Sequence, residues 1–192
     1  THIFMVYILS FVFLILGLLA MLPLKINKLY KQIYVIIGVV LFLIAGFRGA
    51  GVDRDYLTYV NLYHNIGKLT ILSVEPTFII ISNFVKYVLF NNVVFVFVIY
   101  AIMAISLKLY AIKQLSDFYF FSVLVYFSNF FILQELTQIR VGIAAGILLL
   151  CIKPLYDRNL RKFLILSILA FLFHYSAIVV FPLWFFSKKS FQ

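Results

Sequence analysis

The residues best suited to chemistry stand in four short segments, each beside a long apolar run. They are GFRGAGVDRDY at residues 46–56, Glu75 with Pro76, QELTQIR at residues 134–140, and FHYSA at residues 173–177. Arginine can bind anionic oxygens through two parallel hydrogen bonds, and histidine and carboxylates are common general bases. Ionisable groups at membrane depth usually mark a path for a substrate, an ion or a proton. These segments therefore predict a site that handles one of the three.

The composition is that of a membrane protein. Hydrophobic residues make up 66% of the 192 residues and charged residues only 11%, whereas soluble domains are roughly half apolar and about a quarter charged. A soluble fold of this length could not bury so much apolar surface. The 23 Phe and 13 Tyr suit a lipid-facing chain with tyrosine at the interfaces. The chain is therefore predicted to cross a membrane several times.

The net charge of +10 and the single cysteine exclude two classes of site. The basic residues form no RNA-binding tract and stand in short loops between apolar runs, so no nucleic-acid partner is expected. Cys151 alone cannot form an internal disulfide or a cysteine zinc site. No cofactor and no metal are expected, because the spacing of Asp53 and Asp55 is only a weak metal signal.

The apolar runs predict an all-α bundle of about six transmembrane helices, a single integral membrane domain over residues 1–192. The run at residues 75–90 is short for a span and carries Lys86, so we expect a re-entrant or broken helix there. This interpretation places Lys108 and Lys113 in a loop on the inner side, whereas a full span would place them outside. The six predicted spans are residues 3–22, 33–47, 93–107, 118–133, 139–152 and 163–186.

Loop charge predicts the orientation of the bundle. Basic residues follow the first run, among them Lys25, Lys28 and Lys31, and four more lie in KPLYDRNLRK at residues 153–162. Both loops are therefore expected on the cytoplasmic side. The polar segments then converge on the outer side. The residues brought together there are Arg48, Asp53, Asp55, Glu75, Glu135, Gln138, Arg140, His174 and Ser176.

Several of these residues also have a simpler interpretation. Arg48 and Asp53 could be a snorkelling side chain and a helix cap in an ordinary loop. Glu75 before Pro76 is a common start for a helix, because proline suits the first helical position and a carboxylate suits the positive end of the helix dipole.

The later segments have structural alternatives too. Arg140 could form an internal ion pair with Glu135 or Glu75. His174 could bond a neighbouring carbonyl group, and Ser176 could be a hydroxyl that packs between helices. The residues Gly142, Ala145 and Gly146 form a small-residue face that would let another helix approach closely.

The order of the four segments resembles that of one family. FRGAGVDRDYLTY is similar to the Arg, Gly, Asp and Tyr signature of the EpsG family of exopolysaccharide proteins, relatives of the Wzy O-antigen polymerases. EPTFIIIS resembles its Glu-Pro-Gly-aromatic segment, and TQIRVGIAAGILL its Ile-Arg-Gln segment. FHYSAIVVFPLW resembles its His-x-Ser-Ala segment with the proline that follows. The four segments stand in family order over residues 46–184.

The chain departs from the family pattern in two ways. Thr77 stands where Gly is usual and Val141 stands where Gln is common. The chain also begins with Thr and stops where family members usually continue with further spans. We therefore expect an N-terminal portion or a truncated relative.

The resemblance implies an enzyme, a polymerase-like glycosyltransferase. It would join undecaprenyl pyrophosphate-linked oligosaccharide repeat units on the outer face of the bacterial cytoplasmic membrane, in exopolysaccharide, capsule or O-antigen biosynthesis. The implied partners are the lipid-linked oligosaccharide, membrane lipid, and other assembly proteins such as a flippase and a chain-length regulator.

The resemblance also implies roles for the polar residues. Arg48 and Arg140 would bind the pyrophosphate and stabilise its charge as it leaves. His174 or Asp53 would be the catalytic base, with Glu75 as another candidate, although His174 could instead donate to phosphate and Asp53 could orient Arg48. Substrate contacts are expected from Tyr56, Glu75, Gln138 and Ser176.

Two other functions would use the same residues. A transporter or flippase for an anionic lipid-linked glycan would bind through the same arginines without chemistry, and it predicts inverted repeats. The sequence has no convincing internal repeat. A non-catalytic membrane subunit of a polysaccharide assembly complex also fits the short chain.

Substitution of Arg140 tests the polymerase interpretation. Arg140→Ala removes a permanently charged group from the predicted pyrophosphate site, so chain extension should be abolished while membrane insertion is retained. Glycan length on a gel and the amount of variant in the membrane fraction measure the two effects. Long glycan at the wild-type level would exclude this role for Arg140.

Overall fold

The computed structural model describes residues 2–22 and 28–186, and all regular elements within these ranges are helical. Lys25 of the predicted cytoplasmic loop lies outside the described residues. A π-helical segment, Phe127–Thr137, continues α6, and two 3₁₀ helices cover Ile66–Lys68 and Tyr175–Val180. The α-helices are α1 (His2–Met21), α2 (Lys28–Gly46), α3 (Tyr56–His64), α4 (Pro76–Val88), α5 (Val94–Leu115), α6 (Tyr119–Tyr126), α7 (Ile139–Tyr156), α8 (Leu160–Phe173) and α9 (Leu183–Phe186).

Five helical stretches of the described chain are long and apolar enough to cross a membrane. Two shorter apolar helical stretches accompany them, Pro76–Val88 and Tyr175–Phe186. Together they confirm the predicted polytopic helical bundle. The five candidate spans are Ile3–Met21, Lys28–Gly46, Val94–Leu115, Tyr119–Thr137 and Ile139–Tyr156.

α5 lies at the centre of the bundle. It packs against α2 on one side and against α7 on the other, and α7 in turn packs against α8. Tyr100 and Ala104 of α5 and Ile143 and Ile147 of α7 are buried in one core cluster. Because lipid is as apolar as these side chains, the association of the helices relies on close packing and polar contacts more than on the hydrophobic effect.

Glycine permits the closest approaches to α5. A Cβ atom on Gly146 of α7 would lie only 2.9 Å from Leu107 Cβ, and one on Gly38 of α2 would lie 2.6 Å from Leu109 Cδ1. Gly142 and Gly146 are both buried. The predicted small-residue face of α7 therefore does what the sequence indicated, since it lets α5 and the end of the π-helical segment come close.

The last predicted span is not one helix. α8 ends at Phe173, and His174 adopts an extended conformation with φ −156° and ψ 121° before the 3₁₀ helix begins. The Tyr175 hydroxyl donates a hydrogen bond to the Ile71 carbonyl, in the loop before α4. This bond to a distant loop accompanies the break, which the apolar run of residues 163–186 does not reveal.

Lys108 also lies elsewhere than predicted. α5 continues to Leu115, so Lys108 is part of this helix and not of a cytoplasmic loop. Its side chain is buried. We predicted a loop because Lys108 ends the apolar run in the sequence. The prediction was wrong because Glu135, on a neighbouring helical segment, pairs with Lys108 and so allows it inside the bundle.

α4 is a short helix that packs beside α3. α4 has only 13 residues, about 20 Å at 1.5 Å per residue. Glu75 before its first residue contacts the beginning of α7, and Asn91 after its last residue accepts a hydrogen bond from Tyr63 of α3. Tyr59 of α3 also lies beside Phe78 in the first turn of α4. α4 thus contacts α3 near both of its ends, and the re-entrant path stays a prediction.

Gly146 should tolerate no larger side chain. Gly146→Val would force Leu107 and α5 away, and overpacking of this kind typically costs about 1–3 kcal/mol. Thermal unfolding in detergent should therefore show a clear loss of stability. The control is Gly17→Val on α1, where a Cβ would meet nothing within 4 Å. Equal stability of the two variants would contradict the close packing of α5 and α7.

Candidate functional site

One carboxylate joins two of the predicted functional residues. Glu75 Oε2 accepts a hydrogen bond from Arg140 Nη1, and Glu75 Oε1 lies 2.7 Å from His174 Nδ1. The side chain of Glu75 is 6% exposed, whereas those of Arg140 and His174 are 23% and 29% exposed. The buried carboxylate therefore holds a guanidinium and an imidazole that both reach the surface of the site.

The local sequence explains the position of Glu75. Pro76 is the first residue of α4 and sets the backbone for the helix, and Glu75 is the residue before it, where a carboxylate is favourable. Thr77 Oγ1 donates a hydrogen bond to the Leu172 carbonyl at 2.9 Å. This bond ties the first turn of α4 to the end of α8, so Glu75 and His174 are held together.

Arg48 anchors the loop after α2. Its Nε lies 2.8 Å from Asp53 Oδ2, and its Nη1 donates to the Ala45 carbonyl at 2.9 Å. Asp53 Oδ1 accepts a hydrogen bond from the Asp55 amide at 2.9 Å. The side chains of Arg48 and Asp53 are 0% and 2% exposed. Burial lowers the pKa of Arg48 and the Asp53 carboxylate opposes this shift, and an arginine stays charged in proteins.

An aromatic cluster connects the two arginines. The Arg48 guanidinium lies 4.3 Å from the centroid of the Phe97 ring, and the Arg140 guanidinium lies 5.6 Å from Tyr59 and 5.9 Å from Phe78. Tyr59 itself packs edge-on against Phe97 and tilted against Phe78. Burial raises the pKa of Tyr59, so its phenol is neutral near pH 7. Tyr59, Phe78 and Phe97 thus form one aromatic wall, and both guanidinium groups lie against it.

The ion pair between Lys108 and Glu135 was not predicted. Lys108 Nζ contacts Glu135 Oε1 and lies 2.6 Å from Gln134 Oε1, and the Tyr126 hydroxyl donates to Glu135 Oε1 at 2.8 Å. Lys108 and Glu135 are 2% and 1% exposed. The Glu135 main-chain carbonyl lies 3.5 Å from Arg48 Nη1. The only sign of this pair in the sequence was Lys108 at the end of an apolar run. A lysine at that place is equally typical of a loop on the cytoplasmic side.

The π-helical segment brings Glu135 to this pair. It covers Phe127–Thr137 and ends where the Gln138 amide donates to the Leu133 carbonyl at 2.8 Å. A Cβ on Gly142 would lie 2.7 Å from Glu135 Oε2, so only glycine leaves room for the carboxylate. Departures from α-helical geometry of this type are frequent at functional sites.

Three predicted site residues remain, and they stand close in sequence to the ionic groups described above. Tyr56 opens α3 and stacks on Phe97 with 4.8 Å between the ring centroids. Gln138 is exposed just before α7, and Ser176 is exposed in the 3₁₀ helix after His174. Arg140 thus lies with Glu75 and His174, whereas Arg48 and Asp53 form a neighbouring buried pair.

Two donor groups of the arginines remain unused. Arg48 Nη2 and Arg140 Nε are buried and have no hydrogen-bond partner among the described residues. An unpaired buried donor on a charged group is costly; of the two side chains, Arg140 is 23% exposed and Arg48 is 0% exposed, so only Arg140 is open to a ligand. Among the described residues, no group of three or more His, Cys, Asp and Glu side chains could hold a metal ion.

The fold and the site together define a class of protein. It is a multi-pass helical membrane protein in which ionic groups from four separate segments meet at one end of the bundle. The model of the EpsG family matches residues 31–192, and the chain belongs to this family. It is therefore a polysaccharide polymerase-like membrane protein. No match was found among curated proteins or among solved structures.

Breaking the buried Lys108–Glu135 pair by removing one partner should destabilise the bundle core. Lys108→Met leaves the Glu135 carboxylate buried without its partner, which typically costs about 3–5 kcal/mol in free energy of unfolding. Combining Lys108→Met with Glu135→Gln removes the stranded charge and should recover much of the loss. Unfolding in detergent measures the free energy of unfolding of the single and the double variant.

The matched control for this pair is Lys113→Met. Lys113 lies on the same helix and is exposed, so its replacement should change stability by less than about 1 kcal/mol. Equal losses for Lys108→Met and Lys113→Met would contradict a buried ion pair. A double variant no more stable than Lys108→Met alone would contradict the stranded charge as the cause.

Proposed function

We propose that this protein is a glycosyltransferase that polymerises lipid-linked oligosaccharide repeat units. The observation that carries the proposal is the Glu75 carboxylate shared by Arg140 and His174. The reaction needs a cation to hold a pyrophosphate leaving group and a base to take a proton from an acceptor hydroxyl. The cluster supplies one candidate for each task, held by a common partner.

Arg140 is the proposed pyrophosphate ligand. Glu75 occupies one terminal nitrogen of its guanidinium, the Nε donor has no partner, and nearly a quarter of the side chain is exposed. A guanidinium carries five N–H donors in a planar arrangement that matches phosphate oxygens. Arg140 can therefore keep its bond to Glu75 and still bind an anionic oxygen.

His174 is the proposed catalytic base. We assign the imidazole proton to Nδ1, which donates to Glu75 Oε1, so that Nε2 carries the free lone pair. Nε2 takes the proton of the acceptor hydroxyl as its oxygen attacks the anomeric carbon of the donor sugar. The bond from this carbon to the pyrophosphate oxygen breaks, and undecaprenyl pyrophosphate leaves with the electron pair, its charge stabilised by Arg140.

The other site residues have supporting roles in this proposal. Arg48 has no exposed side-chain surface and both oxygens of Asp53 are hydrogen-bonded, so we assign this pair to positioning the loop and the aromatic wall. Direct contact of Arg48 with pyrophosphate would require the loop to open. Substrate contacts are proposed for Tyr56, Gln138 and Ser176, which are at least partly exposed; Gln138 and Ser176 stand two residues from Arg140 and His174 in the sequence.

The proposed setting is the outer face of a bacterial cytoplasmic membrane. Loop charge favours the orientation in which the loop after α2 and the beginning of α7 face outward. Lipid-linked repeat units reach this side only after a flippase has moved them across. A flippase and a chain-length regulator are therefore the proposed partners.

Replacement of His174 separates chemistry from binding. His174→Ala should slow chain extension by about 100- to 10,000-fold, since general base catalysis is worth roughly that much. Affinity for the lipid-linked donor should stay within a few-fold of wild type, because Arg140 and Glu75 remain. Single-turnover extension and equilibrium donor binding in lipid nanodiscs measure the two quantities.

The control for this variant is His64→Ala. His64 is an exposed histidine at the end of α3, and its removal should leave both quantities unchanged. Wild-type extension by His174→Ala would show that the imidazole is not the base. A large loss of donor affinity would instead assign His174 to phosphate binding.

A further inference from the structure

A cavity of about 410 Å³ lies between α5, α6 with its π-helical continuation, and α7. Its volume falls in the range of sites that enclose sizeable ligands, about 300–1,000 Å³. Phe130 and Val125, which line it, are 47% and 41% exposed, so the cavity opens to the outside of the bundle. The wall on α7 is formed by Ala145, Leu148 and Leu149.

Polar groups close one end of this cavity without leaving a free charge. Lys108 lines it, but its ammonium group contacts both Glu135 and Gln134. The Tyr126 hydroxyl is also engaged by Glu135. A phosphate group at this position would have to break a buried ion pair, which is costly. Apart from Ser122, whose hydroxyl donates to Ser116 Oγ at 2.8 Å, the rest of the wall is hydrocarbon, so the occupant that fits is an apolar chain.

A line of side chains leads from this cavity toward the proposed active site. Tyr126, Phe130 and Gln134 follow one another at intervals of four residues along α6 and the π-helical segment, so successive turns place them on one side. All three line the cavity. Gln138 follows four residues later, just past the end of the π-helical segment, is exposed, and precedes Arg140 by two residues.

We infer that this cavity binds the isoprenoid tail of the lipid-linked substrate, with the chain passing Gln138 from a pyrophosphate held at Arg140. The inference rests on the proposed function for the identity of the tail. Ala145 lies five residues beyond Arg140 on α7, about 7.5 Å along the helix. A tail much longer than this distance can therefore reach the cavity.

Photolabelling tests this site without requiring catalysis. The full chain in nanodiscs is irradiated with a polyisoprenyl pyrophosphate that carries a diazirine in its chain, and the labelled peptides are identified. Label is expected on cavity residues of α6, the π-helical segment and α7. Each methylene excluded from an apolar site weakens binding about fourfold, so Ala145→Phe should reduce this label at least about tenfold.

Two pairs of variants keep the test independent of folding defects. Ala145→Phe is matched by Ile152→Phe, which adds the same ring at an exposed position of α7 away from the cavity wall. Val125→Trp narrows the opposite wall and is matched by Ile132→Trp, exposed on the same span. Both cavity variants should lose label, and both controls should retain it.

Three outcomes would overturn the inference. They are label spread evenly over exposed residues of α1 and α2, label unaffected by both cavity variants, and equal labelling of the cavity by a diazirine phosphatidylglycerol, which would show general lipid binding only. Failure of the proposed function looks different. The cavity would then be labelled as expected, while the same preparation leaves lipid-linked repeat units unextended.

Discussion

The arrangement of the end of the bundle where α4 and α7 begin depends on one carboxylate. Glu75 is almost fully buried and accepts bonds from both Arg140 and His174. A charge in apolar surroundings is costly unless it is paired and hydrogen-bonded. The three groups therefore fix one another, and with them the beginning of α4, the beginning of α7 and the end of α8. Loss of the carboxylate would leave a cation without its partner and an imidazole without its orientation.

The same constraint explains why irregular backbone occurs at this end. α8 stops before His174, the π-helical segment replaces regular helix before Gln138, and α4 is a short helix that begins at Glu75. Within a membrane protein such departures are tolerated where the backbone is covered by protein or lines a cavity. The start of α4 and the break after α8 bring Glu75 and His174 to the cluster, and the π-helical segment brings Glu135 to Lys108. Regular helices through the same segments would separate these side chains.

The Lys108–Glu135 pair forms a second level below this cluster. It joins α5 to the π-helical segment, and the main-chain carbonyl of Glu135 meets Arg48. Gly142 makes room for the carboxylate on α7. The Lys108–Glu135 pair thus contacts Arg48 through the π-helical segment and adjoins the beginning of α7, which carries Arg140.

The sequence predicted the class of fold and the convergence of the polar segments, because composition and loop charge are strong signals in membrane proteins. As the simpler interpretation of Arg140 it offered an internal ion pair with Glu135 or Glu75, and the structure shows the pair with Glu75. It missed the partner of Lys108. A lysine beside an apolar run is typical of a loop, and only the position of the facing helix shows that it is paired inside the bundle. It also missed the break at His174, which coincides with a tyrosine bond to a loop about a hundred residues earlier. Both errors concern contacts between distant segments, which local patterns do not encode.

The most direct test of this account is a single gel of glycan lengths. Purified wild-type protein and Glu75→Gln are each reconstituted in lipid with an undecaprenyl pyrophosphate-linked repeat unit. We expect a ladder of glycan lengths for the wild type and unextended single units for Glu75→Gln. This substitution keeps the shape of the side chain but removes its charge. Unextended units with the wild type would contradict the polymerase function. An undiminished ladder with Glu75→Gln would contradict the central role of the shared carboxylate.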